Sequence, residues 1–285
     1  MSKAERRARL ADIAAADQAA DRLDAGQPIA VSTGPGWTLA LGDCIAGMRE
    51  MDDLSVDVTI TDPPYSQHTH DKQWVGAALT EQGAKRVKTS HKGLTFAHIT
   101  PEQAAEVALQ IRRVTKRWAL VFTDLEGIAL WSLALANAKL DYVRTCIWDK
   151  VDGAPQFTGD RPAAGAEAIV VAHRPGKKRW NGGGRRNVFR YAVNGERGDK
   201  PHPTTKPQPL MRELVELFSE PDELILDPFT GSGSTGLAAN ALGRRFVGFE
   251  LSPEYHAIAC RRLRGDEAKP RPEQPSLFDA IGALP

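Results

Sequence analysis

Two short stretches of the sequence carry residue types that could do chemistry together. The first, TDPPY (61–65), places an acid before two prolines and an aromatic residue. The second, DPFTGSGSTG (227–236), contains the GxGxxG pattern of nucleotide-binding turns, preceded by another acid. Each stretch follows an apolar run of strand length, and the second opens a helical pattern. A site that uses both stretches therefore needs two strands that end side by side.

The acid in front of the glycines indicates which ligand the turn binds. A pyrophosphate is held by bare N–H groups at a helix N-terminus, and Asp227 would repel it. A ligand with an ammonium or sulfonium centre would instead be attracted. Glu250 lies nineteen positions after Gly231, at the end of the next strand, and could bind ribose hydroxyls. These features favour S-adenosylmethionine; the alternatives are an oxidoreductase that binds a nicotinamide or flavin dinucleotide, and a purely structural turn.

The residues of TDPPY suit the activation of an exocyclic amino group on a nucleobase. Such a nitrogen is a poor nucleophile because its lone pair is delocalised into the ring. Two acceptors, the Asp62 carboxylate and a carbonyl such as that of Pro63, would localise the lone pair and aim it at a methyl group. Pro63 and Pro64 fix the backbone without competing N–H donors, and Tyr65 offers a face on which an extruded base can stack. A stiff turn without chemistry is the alternative.

Seven apolar runs of strand length alternate with helical patterns along the chain. The runs are 37–43, 56–62, 117–124, 142–149, 167–174, 222–227 and 245–251. This alternation predicts an α/β fold with a seven-stranded, mostly parallel sheet and helices on both faces. Ligands of such sheets bind at the carboxyl ends of the strands, where most of these runs have an acid. One of these acids, Asp43, could accept a hydrogen bond from an adenine amino group.

Two terminal regions outside this alternation set the predicted domain boundaries. We expect a helical N-terminal extension (1–28), a catalytic domain (29–268) and a proline-rich tail (269–285). Within the catalytic domain lie a loop-like insertion (66–98) and a glycine- and arginine-rich segment (174–201).

Both internal regions are basic, although the net charge of the chain is only +1. Between Arg174 and Lys206, ten lysines and arginines meet two acids, and aromatic residues are interleaved with the arginines. This pattern suits phosphate neutralisation combined with base or groove contacts, and a solvated basic loop is the alternative. The residues predicted to contact nucleic acid are Lys85, Arg86, Lys88, Lys178, Arg179, Arg185, Arg186 and Arg190.

The composition is that of a globular protein outside the membrane. No apolar run approaches the ~18 to 20 residues of a membrane helix, and the N-terminus mixes acids with bases, unlike a signal peptide. Three cysteines lie far apart without a CxxC pair, so the sequence indicates neither a metal site nor a disulfide framework. We therefore expect a cytoplasmic protein.

Taken together, the motifs resemble those of the beta-class DNA amino-methyltransferases, which methylate adenine N6 or cytosine N4 with S-adenosylmethionine. Three motifs carry the resemblance: TDPPY, DPFTGSGST and HPTTKP (202–207), with the catalytic motif first and the cofactor loop last. The resemblance covers roughly residues 36–264. It implies a circularly permuted Rossmann-like methyltransferase fold, S-adenosylmethionine as cofactor and double-stranded DNA as substrate, with residues 174–199 as the target-recognition segment.

The resemblance also implies a role for each matching residue. At the target base it places Asp62, Pro63, Pro64 and Tyr65. Around the cofactor it places Asp43, His202, Thr204, Lys206, Asp227, Phe229, Gly231, Gly233 and Glu250. Of these, Asp43 would lie near the adenine, Glu250 at the ribose, and the stretch 227–233 around the methionine moiety.

Residue types narrow the reaction further. Methylation of cytosine C5 needs a cysteine nucleophile, which follows a proline in the enzymes that carry it out, and none of the three cysteines follows a proline. An aspartate in the tetrapeptide, where serine is usual for cytosine N4, favours adenine N6. Cytosine N4 and RNA remain as alternative targets.

The tail contains QPSLF (274–278), which resembles the pentapeptide that bacterial replication proteins insert into the sliding clamp. Gln274, Leu277 and Phe278 would make this contact, and the flanking prolines suit a docking peptide. Alternatively, Leu277 and Phe278 pack against the core. A homodimer also stays open, because nothing in the sequence decides the oligomeric state.

Overall fold

The computed structural model describes residues 30–65, 99–153, 155, 159–193 and 205–266. The predicted N-terminal extension, the insertion and the proline-rich tail lie outside these residues. The described residues form one sheet with helices on both of its faces.

Nine strands and six helices make up the described part of the chain. The strands are β1 (Ala30–Gly34), β2 (Trp37–Leu41), β3 (Val56–Thr61), β4 (Thr115–Thr123), β5 (Asp141–Asp149), β6 (Ala166–His173), β7 (Val188–Arg190), β8 (Leu224–Asp227) and β9 (Arg245–Glu250). The helices are α1 (Cys44–Arg49), α2 (Pro101–Val114), α3 (Ile128–Asn137), α4 (Gln208–Phe218), α5 (Ser234–Ala241) and α6 (Pro253–Arg264). No helix in this part is long and apolar enough to cross a membrane.

The nine strands follow the order β1-β2-β9-β8-β3-β4-β6-β5-β7. Five neighbouring pairs are parallel and three are antiparallel. All seven predicted strands are present, which confirms the mostly parallel α/β sheet. The count of seven was too low, because the edge strand β1 (AVSTG) has no buried residue and no apolar run, and the edge strand β7 has only three residues.

The direction of β6 decides which residues reach the carboxyl edge of the sheet. This strand pairs antiparallel with both β4 and β5. Its first residues therefore lie at the edge where β3, β4, β5 and β8 end. Glu167, near the start of β6, is brought to the same edge as the strand-end acids.

The strands bury both faces because their residues alternate. In β4, Trp118 and Phe122 belong to one core, whereas Ala119 and Val121 belong to the other. Helices α4, α5 and α6 cover the first core, and α1, α2 and α3 cover the second. The predicted helices on both faces are thereby confirmed.

Gly236, the third glycine of the GxGxxG pattern, lets α5 lie close to β9. A Cβ at this position would lie 2.8 Å from the ring of Phe246 and 2.9 Å from Leu263. Phe246 is only 2% exposed, so its ring has no free space to move into. The absence of a side chain is therefore what allows this helix to pack, and the helix in turn fixes the glycine loop before it.

We expect Gly236→Ala to lower the free energy of unfolding by about 1 to 3 kcal/mol, the usual cost of overpacking a core. The loss should appear although alanine is the better helix former by about 1 kcal/mol. Urea unfolding measures it. Gly165→Ala is the control, because a Cβ there meets no atom within 4 Å, and its effect should stay below about 0.5 kcal/mol. Unchanged stability of Gly236→Ala would contradict the close approach.

Candidate active site

The two motifs lie side by side at the carboxyl edge of the sheet. β3, which leads into TDPPY, pairs in parallel with β8, which leads into the glycine loop, and Thr59 lies opposite Leu226. At the strand ends, the Thr61 hydroxyl donates a hydrogen bond of 2.7 Å to Asp227 Oδ1. The two strands that the chemistry requires to be neighbours are neighbours.

Asp227 is a buried acid between the two motifs, with 2% of its surface exposed. Besides the bond from Thr61, its carboxyl accepts hydrogen bonds from the Thr235 hydroxyl at 2.6 Å and the Phe229 N–H at 3.1 Å. Burial raises the pKa of Asp227 to about 7, against the opposing effect of the hydrogen bonds from Thr235 and Thr61. A cationic ligand beside this carboxyl would favour its ionised form.

The second acid of the cofactor motif, Glu250, holds the glycine loop in place. It ends β9, is 7% exposed, and accepts hydrogen bonds of 2.7 Å from the N–H groups of Gly231 and Ser252. Gly231 adopts a positive φ of 54°, and a Cβ there would meet no atom within 4 Å. Gly233 is the N-cap of α5, and the buried Ser234 Oγ in its first turn has no partner among the described residues.

This arrangement fits S-adenosylmethionine. The loop is open at Gly231, where a side chain would fill the space. Glu250 places a carboxylate beside that space, which suits ribose hydroxyls, and Asp227 places another, which suits a positively charged methionine moiety. A pyrophosphate would meet both acids and be repelled by them.

Asp43 stands next to Glu250 at the end of a neighbouring strand. β2 pairs with β9, and Leu41 lies opposite Glu250. The Asp43 side chain is the N-cap of α1 and accepts a hydrogen bond of 2.8 Å from the Ala46 N–H. The proposed contact with the cofactor adenine would use the remaining acceptor capacity of this carboxylate.

Of the other residues predicted around the cofactor, the structure describes only some. Phe229 is half-buried and packs against the core that α1, α2 and α3 cover. His202 and Thr204 lie outside the described residues. The next residue, Thr205, approaches Ser232 of the glycine loop, with 3.3 Å between their hydroxyl oxygens. Thr205 therefore lies at the glycine loop.

Asp62, directly after β3, has its two carboxylate oxygens in different surroundings. Oδ2 forms an ion pair of 2.9 Å with Lys206 Nζ. Oδ1 is buried and has no hydrogen-bond partner within the described part of the chain. Burial raises the pKa of Asp62, and Lys206 opposes this shift. The next two residues, Pro63 and Pro64, are buried and half-buried, respectively.

Lys206 lies at the tetrapeptide DPPY (62–65), whereas the resemblance implied a place along the cofactor pocket. Besides the pair with Asp62, its Nζ donates to the Tyr65 hydroxyl at 2.8 Å and to Glu167 Oε2 at 2.9 Å. Burial alone would lower the pKa of Lys206, but Asp62 and Glu167 outweigh burial and raise it. Three ring centroids lie 5.1 to 5.7 Å from Nζ, those of Tyr65, Phe122 and Trp148.

Sequence reasoning missed two members of this cluster, Glu167 and Lys150. Glu167 Oε2 accepts a hydrogen bond of 2.6 Å from the Tyr65 hydroxyl, and Oε1 pairs with Lys150 Nζ at 2.6 Å. Burial alone would raise the pKa of Glu167, but Lys206 and Lys150 outweigh it and lower the pKa to about 2. The one sequence feature that could have indicated them is their position at the ends of apolar runs, since Lys150 follows β5 and Glu167 stands near the start of β6.

The predicted nucleic-acid-binding residues are exposed where they are described, and most pair with acids. Lys178 pairs with Asp141, Arg179 with Glu220, Arg185 with Glu213, and Arg190 with Asp149. Arg186 is exposed. The segment is not all loop, because β7 lies within it. Outside the described residues lie Lys85, Arg86, Lys88 and the tail residues Gln274, Leu277 and Phe278.

Comparison with known proteins identifies the family. A model of the DNA methylase family, covering N6 and N4 methyltransferases, matches residues 56–261, which is most of the chain. The chain belongs to this family. It is 26% identical over 263 residues to the type II methyltransferase M.HinfI of Haemophilus influenzae, over 85% of this chain and 71% of the relative.

Solved structures show the same fold. The cytosine-N4-specific PvuII DNA methyltransferase has a TM-score of 0.64 at 15% identity, over 83% of this chain and 89% of that one. The complex of M1.HpyAVI with SAM has a TM-score of 0.58 at 23% identity, over 80% and 98% of the chains. Family membership confirms the expected beta-class DNA amino-methyltransferase, its Rossmann-like fold and S-adenosylmethionine as its cofactor, and it removes the oxidoreductase alternative.

The raised pKa of Asp227 in this methyltransferase predicts a pH-dependent stability. In the unfolded chain the carboxyl titrates near 3.8, whereas in the folded protein its pKa is about 7. Between these values the folded state binds the additional proton, so the stability contributed by Asp227 falls as pH rises through this window. We expect the stability of wild type relative to Asp227→Asn to fall by roughly 1 kcal/mol per pH unit between about pH 5 and 7.

Urea unfolding of both proteins over this range measures the slope. The asparagine also alters the hydrogen bonds with Thr61 and Thr235, but that offset does not depend on pH. A difference between the two proteins that stays constant from about pH 5 to pH 8 would contradict the raised pKa.

Proposed function

We propose that this methyltransferase acts on adenine N6 of double-stranded DNA, after the target base has left the helix. One observation carries the proposal. The buried Oδ1 of Asp62 has no partner among the described residues, while Oδ2 of the same carboxylate is held by Lys206. A buried acceptor is costly to leave unpaired, so the site suits a ligand that brings an N–H donor to this atom.

An exocyclic amino group supplies that donor. One N–H would donate to Asp62 Oδ1 and the other to a backbone carbonyl such as that of Pro63, which turns the nitrogen lone pair away from the ring. S-adenosylmethionine would supply the methyl group from its sulfonium. As the amino nitrogen forms a bond to this methyl group, the bond from the methyl group to sulfur would break, and the sulfur would become the neutral sulfide of S-adenosylhomocysteine. The nitrogen then carries a positive charge and releases one proton to the Asp62 carboxylate, from which it passes to solvent.

The position of Tyr65 supports an extruded base. Its ring is half-buried beside Asp62, and its hydroxyl is held from behind by Glu167 and Lys206. The ring face would stack on the base while Asp62 reads its amino edge. Because Asp62 Oδ1 is buried, a base still inside a duplex would not reach it, and this burial supports a flipped base.

Adenine is the proposed base because the tetrapeptide begins with aspartate. Cytosine N4 offers the same kind of amino group, and the fold is shared with a cytosine-N4-specific enzyme. The same mechanism would therefore serve either base, and cytosine N4 is the alternative target. The basic segment 174–193, with Arg186 and Arg190 exposed, would bind the phosphates around the flipped base.

We expect Asp62→Ala to lower the rate of methyl transfer by about 10²- to 10⁴-fold, the range typical of a group that handles a proton. The assay transfers labelled methyl groups from S-adenosylmethionine to unmethylated DNA. Asp57→Ala is the control, because Asp57 lies on the same strand at its other end, where it pairs with Lys116 at 2.8 Å. A normal rate for Asp62→Ala would refute the assignment of Asp62.

The methylated base is read from the same reaction. Digestion of the product to nucleosides and mass spectrometry should give N6-methyladenine. N4-methylcytosine as the product would replace adenine by cytosine in the proposal and leave the mechanism unchanged.

We expect Gly231→Ala to weaken binding of S-adenosylhomocysteine by about tenfold or more, which is at least about 1.4 kcal/mol. The new Cβ would occupy the open side of the loop, where the cofactor is proposed to lie. Calorimetric titration measures the affinity. Gly243→Ala is the control, since this glycine has a similar φ of 70° and equally open surroundings. Both variants place alanine at a positive φ and so share the backbone strain. Equal affinities of the two variants for S-adenosylhomocysteine would contradict a cofactor on this side of the loop.

A further inference from the structure

We call the place proposed for the target base, beside Asp62 and Tyr65, the base site, and the charged residues Asp62, Lys206, Glu167 and Lys150 beside it the charge cluster. Two members of this cluster have no assigned contact with base or cofactor. Glu167 and Lys150 are mostly buried, with 11% and 18% of their side chains exposed. They come from the antiparallel strand β6 and the residue after β5, respectively. Buried charges of this kind are costly, so their presence beside a reactive site calls for a role.

Glu167 holds two groups of the base site at once. Its Oε2 accepts from the Tyr65 hydroxyl at 2.6 Å and from Lys206 Nζ at 2.9 Å. Its Oε1 forms an ion pair of 2.6 Å with Lys150 Nζ, so the carboxylate has little freedom to turn. Lys150 in turn lies over the ring of Trp148, 5.2 Å from its centroid.

The contact with Tyr65 fixes the plane on which a base would stack. A phenol ring can turn about two side-chain torsions, and a hydrogen bond at its far end removes most of that freedom. Burial raises the pKa of Tyr65, so the hydroxyl keeps its proton and remains a donor to Glu167. The ring is then presented in a single orientation.

The contact with Lys206 fixes which oxygen of Asp62 is available. An ammonium has three donors, and here they go to Asp62 Oδ2, the Tyr65 hydroxyl and Glu167 Oε2. Without Glu167, one donor would be free to turn towards Asp62 Oδ1 or towards the nitrogen of the base. Either contact would compete with the hydrogen bond on which methyl transfer depends.

We propose that Glu167, neutralised by Lys150, is the positioning residue of the base site. It fixes the Tyr65 hydroxyl and the Lys206 ammonium, so that the Tyr65 ring and Asp62 Oδ1 meet the target base in one geometry. Glu167 itself touches neither base nor cofactor. The inference rests on the proposed transfer of a methyl group to a base amino nitrogen.

Glu167→Gln tests this role with little change in shape. The amide can still accept from Tyr65, but it no longer forms ion pairs with Lys206 and Lys150. We expect the single-turnover rate at saturating DNA and cofactor to fall by about 10- to 100-fold, the effect of a small misplacement of reacting groups. The dissociation constant for S-adenosylhomocysteine, measured by calorimetry, should stay within about twofold, because the cofactor loop is untouched.

Glu213→Gln is the matched control for lost stability. Glu213 is also 11% exposed, accepts a hydrogen bond of 2.8 Å from a tyrosine, Tyr191, and pairs with a cation, Arg185. It lies on α4, and its bonds are to Tyr191 and Arg185 rather than to the tetrapeptide. Both variants should lose similar thermal stability, and only Glu167→Gln should lose the single-turnover rate.

A double-mutant cycle with Tyr65→Phe decides whether Glu167 acts through the Tyr65 hydroxyl. If it does, the rate of the double variant exceeds the rate expected when the two single losses are multiplied. Losses that multiply, or a Glu167→Gln rate equal to that of wild type, would overturn the positioning role. Failure of the proposed function looks different, because then wild type itself would methylate neither adenine nor cytosine in DNA.

Discussion

The parallel pairing of β3 with β8 is the constraint on which the site depends. It joins two motifs that are 166 residues apart at the hydrogen bond from Thr61 to Asp227. The acid proposed for the base and the acid proposed for the cofactor thus stand at the ends of adjacent, mostly buried strands, where Ile60 and Ile225 have no exposed surface. In-line methyl transfer tolerates little displacement, and a site built on packed strands is displaced less than one built on loops.

The charge cluster beside β3 shows what this rigidity supports. Two carboxylates, Asp62 and Glu167, meet two ammonium groups, Lys206 and Lys150, in a region where each charge alone would be costly. Paired, the four groups are neutral overall when ionised. Apolar residues of the same volume would in general stabilise a core as well or better, so stability does not account for the cluster. What the cluster provides is a buried hydrogen-bond acceptor, Asp62 Oδ1, which has no partner among the described residues.

The features that were predictable from the sequence are local ones. Apolar runs revealed seven of the nine described strands, and turn chemistry revealed both motifs. The ion pairs of Glu167 with Lys206 and Lys150 were not predicted, because they depend on the direction of β6, which a single apolar run does not encode. Strand-end acids were equally ambiguous: Asp43 caps a helix, whereas Asp62 caps none and faces a lysine.

The last strand of the sheet connects the segment proposed to recognise DNA with the proposed base site. β7 lies within the basic segment and pairs with β5, so that Arg190 stands opposite Asp149 and forms an ion pair with it. This pair is largely exposed and contributes little to folding, so a phosphate can replace the carboxylate at small cost. The next residue after Asp149 is Lys150, the partner of Glu167. The end of β5 therefore carries both the ion pair with Arg190, a residue proposed to bind DNA, and Lys150, which supports the proposed base site through Glu167.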